Sequence, residues 1–451
     1  MDCIAAIATP LAPSAIGILR LSGDGAVAVA GRVFHPANGR DFAEHSPRTM
    51  VYGAVETAEG TLLDHGLGVW FSAAHSYTGE EAVELYLHGS PVVLGETLSL
   101  LLASGARQAG PGEFTRRAFL SGRMDLTQAE AVMDLIDAET AEAARLAAAQ
   151  EGGALRRKVE GIYEGLLEVA SRFYAVVDYP DEDLEDVSPE ELKGDLEAWQ
   201  RDLEALVSTA RRGRILKSGL PAVLLGKPNV GKSSLLNALT GTDRCLVTAT
   251  AGTTRDTVEE KVRLGGMVLR LTDTAGIRQT ADEIEAMGVE RARRAADQAE
   301  LALVVVDGSQ PLTAEDEEAF AAASGCSKVL VVRNKADLPV CPAVSEHFPE
   351  AIPVSARTGE GLEALEQAVA ALYPAGEAPT GCLLANARQE DAARRALGAV
   401  ERARAAFAGG LTPDAVLSDV EDAMNALGEL TGRTAKEDNV SAPFSRLCVG
   451  K

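Results

Sequence analysis

The chain has 451 residues, more than a single hydrophobic core sustains, so two or three domains are expected. With 46% hydrophobic and 24% charged residues the composition is that of a globular protein, and no apolar run approaches the roughly 20 residues of a membrane span. A net charge of −24 argues against a chain that grips nucleic acid tightly by itself, because neutralisation of phosphates by Lys and Arg dominates such binding.

Six scattered cysteines without a C-x-x-C pair, and six unclustered histidines, argue against a disulfide framework or a zinc site. The N-terminal Met1-Asp2-Cys3-Ile4 has no basic region of a secretion signal, so a cytoplasmic protein is expected.

Residues 1–118 alternate short β-like runs with Gly and Pro: Cys3–Ala8, Ile16–Leu21, Thr49–Val55, Gly68–Phe71 and Ala82–Leu87. Helix-like stretches Gly25–Phe34 and Val92–Ala103 lie among them, so this segment reads as an α+β domain. Residues 119–216 change to long helical periodicity. Thr127-Gln128-Ala129-Glu130 reads as a capping box, Leu155–Val176 as a second helix, and Ser188-Pro189-Glu190-Glu191 as the start of a third. Between Asp178 and Glu204 twelve acidic residues stand against two basic ones, which reads as a solvated face.

From 217 to 375 strands alternate with helices: Leu220–Leu225, Val258–Leu264, Val268–Thr272, Leu301–Val306, Val329–Arg333 and Ile352–Val354. That order predicts a mainly parallel sheet covered on both faces. Helical texture returns in 376–451, at Asn386–Phe407 and Pro413–Leu430. The simplest organisation is an all-α helical domain interrupted by an inserted α/β domain.

The chemistry is concentrated in the insert. Gly226-Lys-Pro-Asn-Val-Gly-Lys-Ser233 follows a strand and opens a helix, the spacing of a phosphate-binding loop. Backbone N–H groups of Gly226, Asn229, Val230 and Gly231 cradle a polyphosphate. Lys232 reaches its β- and γ-phosphates, Ser233 offers a magnesium ligand, and Ser234 follows on the helix. Asp273-Thr274-Ala275-Gly276 closes the next strand, where an Asp can hold the magnesium shell and Gly276 admits the γ-phosphate.

Asn334-Lys335-Ala336-Asp337 and Ser355-Ala356-Arg357 follow two later strands and match guanine, with Asp337 accepting from the base's N1–H and amine. Four such motifs in order, each at a strand's end, specify a GTP-binding domain of the P-loop, Ras-like class. Position 277 is Ile, where many such proteins carry a catalytic Gln. The loop Thr248-Ala249-Thr250-Ala251-Gly252-Thr253-Thr254 could close over the nucleotide and supply a Thr to magnesium and carbonyls to a monovalent cation.

With these motifs in hand, the chain resembles the MnmE (TrmE) family of tRNA-modification GTPases nearly end to end. The carriers are Gly17-Ile18-Leu19-Arg20, Tyr77-Thr78-Gly79-Glu80, His88-Gly89, Pro111-Gly112-Glu113-Phe114-Thr115 and Asp125-Leu126-Thr127-Gln128-Ala129-Glu130-Ala131. Gly252-Thr253-Thr254-Arg255-Asp256 and the terminal Cys448-Val449-Gly450-Lys451 complete the set. The chain departs from the family at Arg123, often Lys there, at Ser90 and Leu447, and in the turn Pro10–Ala15.

The resemblance implies a folate-binding, dimerising N-terminal domain and potassium-stimulated GTP hydrolysis by two nucleotide-binding domains meeting face to face. It implies potassium around Asn229, Thr248, Thr250 and Thr253, magnesium at Ser233 and Thr254, and Glu285 acting on the attacking water through a second water. Folate contacts carry over to Arg20, Glu84, Arg123 and Lys451, for a 5-formyl- or methylene-tetrahydrofolate. Cys448 is either a nucleophile or a small packing residue. The implied partners are a second copy, a flavin-carrying MnmG (GidA) type protein in a heterotetramer or larger assembly, and tRNA modified at carbon 5 of its wobble uridine. FAD is expected only on the partner. A regulatory GTPase of ribosome assembly is the alternative; it calls for a Lys/Arg-rich RNA-binding module that the sequence does not display.

Overall fold

The computed structural model describes residues 2–57, 59–178, 188–241, 260–271, 293–374, 381–411, 413–434 and 450. These form two compact units, one of Met1–Met133, Gln150–Glu197 and Arg395–Lys451, the other of Asp134–Ala149 and Ala198–Arg394. Among the described residues no helix is long and apolar enough to cross a membrane.

The first unit contains a seven-stranded sheet in the order β3-β4-β5-β6-β2-β1-β7. Its strands are β1 (Ile4–Ile7), β2 (Ser14–Ser22), β3 (Phe34–Pro36), β4 (Val51–Glu56), β5 (Leu62–Phe71), β6 (Ala82–Gly89) and β7 (Arg107–Gln108). Period-2 alternation sends Leu19 and Leu21 of β2, and Val83, Leu85 and Leu87 of β6, into one core with Ala26, Val27 and Ala30 of the helix Ala26–Gly31 and Leu94 and Leu101 of the helix Pro91–Ala103. Ile4 and Ala6 of β1 instead meet Phe114 and Ala109 on the opposite face. Arg20 and Glu84 therefore project to the face that the inward leucines leave. The register sets them directly opposite each other.

Two sequence expectations change here. Phe34, expected to end a helix, instead starts β3, because its ring is fully buried edge-on against Phe42 at 5.3 Å. The cap of the helix Leu126–Ile136 lies two residues earlier than expected: Asp125 Oδ1 accepts from Gln128 N–H at 2.8 Å, and Gln128 Oε1 accepts from Asp125 N–H at 3.1 Å. Thr127 is buried and its hydroxyl donates to Asp125, so it cannot serve as the cap itself. The long helix Ala154–Asp178 and the helix Pro413–Thr431 pack together in this unit.

The second unit is built on a six-stranded sheet ordered β13-β12-β11-β8-β10-β9. It comprises β8 (Leu220–Leu225), β9 (Glu260–Leu264), β10 (Met267–Leu271), β11 (Leu301–Asp307), β12 (Lys328–Asn334) and β13 (Ile352–Pro353). All pairings are parallel except that of β9 with β10. Leu301, Leu303 and Val305 face one hydrophobic cluster; Ala302, Val304 and Val306 face another. Both faces are thus covered, the reason β11 reads as an unbroken apolar run. Each fully buried Leu or Val here contributes about 1.5–3 kcal/mol. The parallel strands deliver Leu225, Asp307, Asn334 and Pro353 to one edge, where ligands bind in open α/β sheets.

Candidate GTP site and a second cavity

The phosphate loop leaves β8 at Gly226 and enters the helix Lys232–Gly241. Its backbone requires glycine at two points. At Gly226, φ is +145° and an added Cβ would lie 2.4 Å from Val305 O; at Gly231, φ is +96° and a Cβ would lie 2.2 Å from Asn334 Nδ2. Asn229 adopts the left-handed region at φ 64° and is exposed. Lys232 Nζ donates to the carbonyls of Gly226 and Lys227, the latter at 2.8 Å, and burial lowers the pKa of its ammonium. Ser233 and Ser234 lie exposed on the first turn of the helix, the end at which a helix favours phosphate groups.

Asn334 does more than its motif suggests. It is buried, donates from Nδ2 to Val230 O at 2.8 Å and accepts at Oδ1 from Ala356 N–H at 3.0 Å. One amide thus ties the phosphate loop to the Ser355-Ala356-Arg357 loop. Asp337 accepts from the Ser355 hydroxyl at 2.6 Å and pairs with Arg357; both hold its carboxyl below the usual range, the Ser355 bond most. An ionised Asp337 is what an acceptor for two guanine N–H groups requires. Lys335, at φ 64°, extends to Asp307 at 2.6 Å. Burial raises the pKa of Asp307, but hydrogen bonds from Lys335 and Ser309 outweigh it and keep the group ionised.

Sequence reasoning missed Asp307. Its signal was available, a carboxylate ending an otherwise apolar strand. Of the other residues expected at this site, Thr248, Ala249, Thr250, Ala251, Gly252, Thr253, Thr254, Asp273, Thr274, Ala275, Gly276 and Glu285 lie outside the described residues.

In the first unit, Arg20 and Glu84 line a cavity of about 160 Å³ together with Tyr77, His75, Phe114 and Ser22. Arg20 Nε donates to Glu84 Oε1 at 2.9 Å, and its guanidinium lies 5.9 Å from the ring centres of Tyr77 and Phe114. Tyr86 donates to Glu84 Oε2 at 2.6 Å; burial, then this bond, pushes its phenol up to about 12. Arg20 Nη1 also donates to the carbonyl of Gly450 at 3.2 Å, which brings the penultimate residue to the cavity.

The loop under Tyr77 is anchored by Ser22, whose hydroxyl lies 2.7 Å from that of Thr78, and by Glu80 on the buried Arg117 at 3.1 Å. Arg123 is exposed, donates to Ala73 O at 2.7 Å and does not line the cavity. Lys451 and Cys448 lie outside the described residues. Tyr77 and Phe114 sat inside motifs noted above, but nothing local in them signalled aromatic walls around a cation. An aromatic-walled pocket with one cation and one carboxylate fits a flat heterocycle carrying N–H donors and acidic groups.

The family pattern described as the GTP-binding protein TrmE N-terminus matches residues 3–123, and that of the MnmE helical domain matches residues 126–448. The chain belongs to the MnmE family of tRNA modification GTPases. It is 45% identical over 455 residues to the tRNA modification GTPase MnmE of Symbiobacterium thermophilum, covering 100% of this chain and 99% of that protein. Against the proteins of the same description from Chloroflexus aurantiacus and Heliobacterium modesticaldum, identity is 43% over 457 and 41% over 464 residues. Those matches span 100% of this chain and 100% and 99% of the relatives. Among solved structures, the G domain of the T. maritima FeoB iron transporter covers 34% of this chain and 98% of its own at 26% identity, with a TM-score of 0.25. The nucleotide-binding fold rests on the strand order and loop geometry given above.

Proposed function

We propose that this protein is a potassium-stimulated GTP hydrolase that works with a flavin-carrying MnmG type partner to install an aminomethyl or carboxymethylaminomethyl group on carbon 5 of the wobble uridine of certain tRNAs. The observation that carries the reading is one chain holding both a guanine-type nucleotide site, closed by Asn334 and Asp337, and a separate Arg20–Glu84 cavity next to Gly450. Residues 1–118 would bind folate and dimerise, 119–216 and 376–451 would form the helical domain, and 217–375 the GTPase domain.

In this reading Lys232 meets the β- and γ-phosphates, Asp337 selects guanine, and Ser233 with Thr254 holds magnesium. Asn229, Thr248, Thr250 and Thr253 hold potassium, which offsets charge developing on the phosphates. Glu285 acts on the attacking water through a second water. Glu84 pairs the N–H edge of a tetrahydrofolate pterin, and Arg20 and Lys451 meet its polar or acidic groups. Cys448, close in sequence to Gly450, would act near the one-carbon unit, or else serve as a small packing residue. Hydrolysis would bring the two GTPase domains of a homodimer together and apart.

GTP turnover in potassium against sodium at matched ionic strength tests this; a large potassium preference is expected, and equal rates would overturn the cation assignment. The −24 charge implies that the partner supplies most tRNA affinity. Nanomolar binding of tRNA by this chain alone at physiological salt would count against that division of labour.

A further inference from the structure

Lys227 occupies a position that the G-x-x-x-x-G-K-S pattern leaves open, yet its side chain is 12% exposed and committed. Its Nζ lies 2.6 Å from Asp316 Oδ2 and 3.1 Å from Thr313 Oγ1, at the start of the helix Ala314–Ala322. Asp316 is 2% exposed. Its Oδ2 also accepts from the Thr313 N–H and hydroxyl, both at 2.9 Å, and among the described residues its buried Oδ1 has no hydrogen-bond partner. A carboxylate that only closes a capping box belongs on the surface. Sinking this one, with one oxygen unsatisfied, costs more than a cap returns unless a cation shares the site. The desolvation cost of such a pair offsets much of its attraction, so net stability does not account for it.

The main chain of the same lysine leads to the phosphate site. Lys227 O accepts from Lys232 Nζ at 2.8 Å, beside Gly226 O. We propose that Asp316, acting through Lys227, is a positioning residue for the phosphate loop: the buried pair fixes the carbonyls of Gly226 and Lys227, and with them the ammonium that serves the nucleotide's phosphates. This rests on the GTP reading above. The helix Ala314–Ala322 follows β11, so the loop after β8 is held by the element after the neighbouring strand.

The test uses full-length protein, fluorescent GDP binding and steady-state GTP hydrolysis. Variants are Lys227→Met, Asp316→Asn, the double variant and Lys227→Arg. Lys227→Met and Asp316→Asn should each raise the KM for GTP and the Kd for GDP roughly tenfold or more while kcat changes less than about threefold, because binding is loosened without removing a reacting group. Lys227→Arg should return both to within about threefold of wild type, since it restores the charge. The double variant leaves no unpaired buried charge, so it should be more stable than either single variant and keeps the test open if those unfold. Its KM and Kd should stay roughly tenfold or more above wild type yet no worse than those of the worse single variant, as expected of two residues acting as a unit. A folded double variant with wild-type KM and Kd, whatever its melting temperature, would reduce the pair to a helix cap and overturn the proposal. Wild-type protein that fails to bind or hydrolyse GTP would instead remove the GTP reading.

Discussion

Replacing Asn334 by Ala should disconnect the two halves of the nucleotide site. The side chain is buried and satisfies two backbone groups, the carbonyl of Val230 and the N–H of Ala356. Without it both are orphaned, at about 1–3 kcal/mol each, or about 3 kcal/mol together if water enters part of the space. For a unit of this size that lowers the unfolding midpoint by about 6–12 °C. If the loss falls on the bound state instead, the Kd for GDP rises about a hundredfold. Asn334→Asp sharpens the test. It keeps an acceptor for Ala356 but sets a second oxygen against Val230 O, so it should do no better than Ala despite its matching shape. Calorimetry and fluorescent GDP titration read both quantities. An Asn334→Asp protein with wild-type midpoint and affinity would refute the bridging argument.

Gly231→Ala places a methyl 2.2 Å from Asn334 Nδ2 on a backbone at φ +96°, so GDP affinity should fall at least about a hundredfold; normal binding would show that the loop relaxes freely. Glu84→Gln removes the charge facing Arg20 and weakens the acceptor for Tyr86, so calorimetric titration with 5-formyl-tetrahydrofolate should show at least a roughly tenfold weaker Kd, and an unchanged value would take Glu84 out of the pterin contact. Glu113 is raised by burial, but bonds from Arg107, the Gly110 N–H and Arg117 outweigh it, and its carboxyl falls from 4.5 to about 2. A depressed carboxylate contributes stability above pH 4.5 that disappears as pH falls toward 2. The full shift corresponds to about 3 kcal/mol, cut to ~1–2 kcal/mol by solvent at the half-exposed Arg107. Roughly half of this is lost between pH 5 and pH 3, so denaturant midpoints at the two pH values should differ by that much for wild type and much less for Arg107→Ala; an equal difference in both would contradict the assignment.

The two units were legible to different depths. β8 matches its expected bounds, and β10, β11 and β12 lie within a residue of theirs, because an apolar run covered on both faces carries its signal in a few adjacent residues. The short strands β3 and β7 were not legible. Phe34 becomes extended because its ring fits beside Phe42, and Arg107–Gln108 pairs with β1 only once the sheet exists. The misplaced capping box shows the same limit: Asp125 and Thr127 are both competent caps, and burial of Thr127 decides between them.

At the nucleotide site the motifs locate the loops, since each needs particular residues at fixed spacing along one strand–turn unit. They do not show that Asn334 ties two loops together, that Asp307 meets Lys335, or that Asp316 holds Lys227. In the first unit the same division holds. Alternation along β2 puts Arg20 opposite in direction to Leu19 and Leu21, a local property of any strand. That Glu84 stands across from it, and that Gly450 arrives 430 residues later to accept from its guanidinium, depends on strand register and chain return. Local patterns are written in neighbouring residues because backbone geometry repeats every two or 3.6 positions. Contacts between distant residues are decided only when the closed core fixes which surfaces can meet.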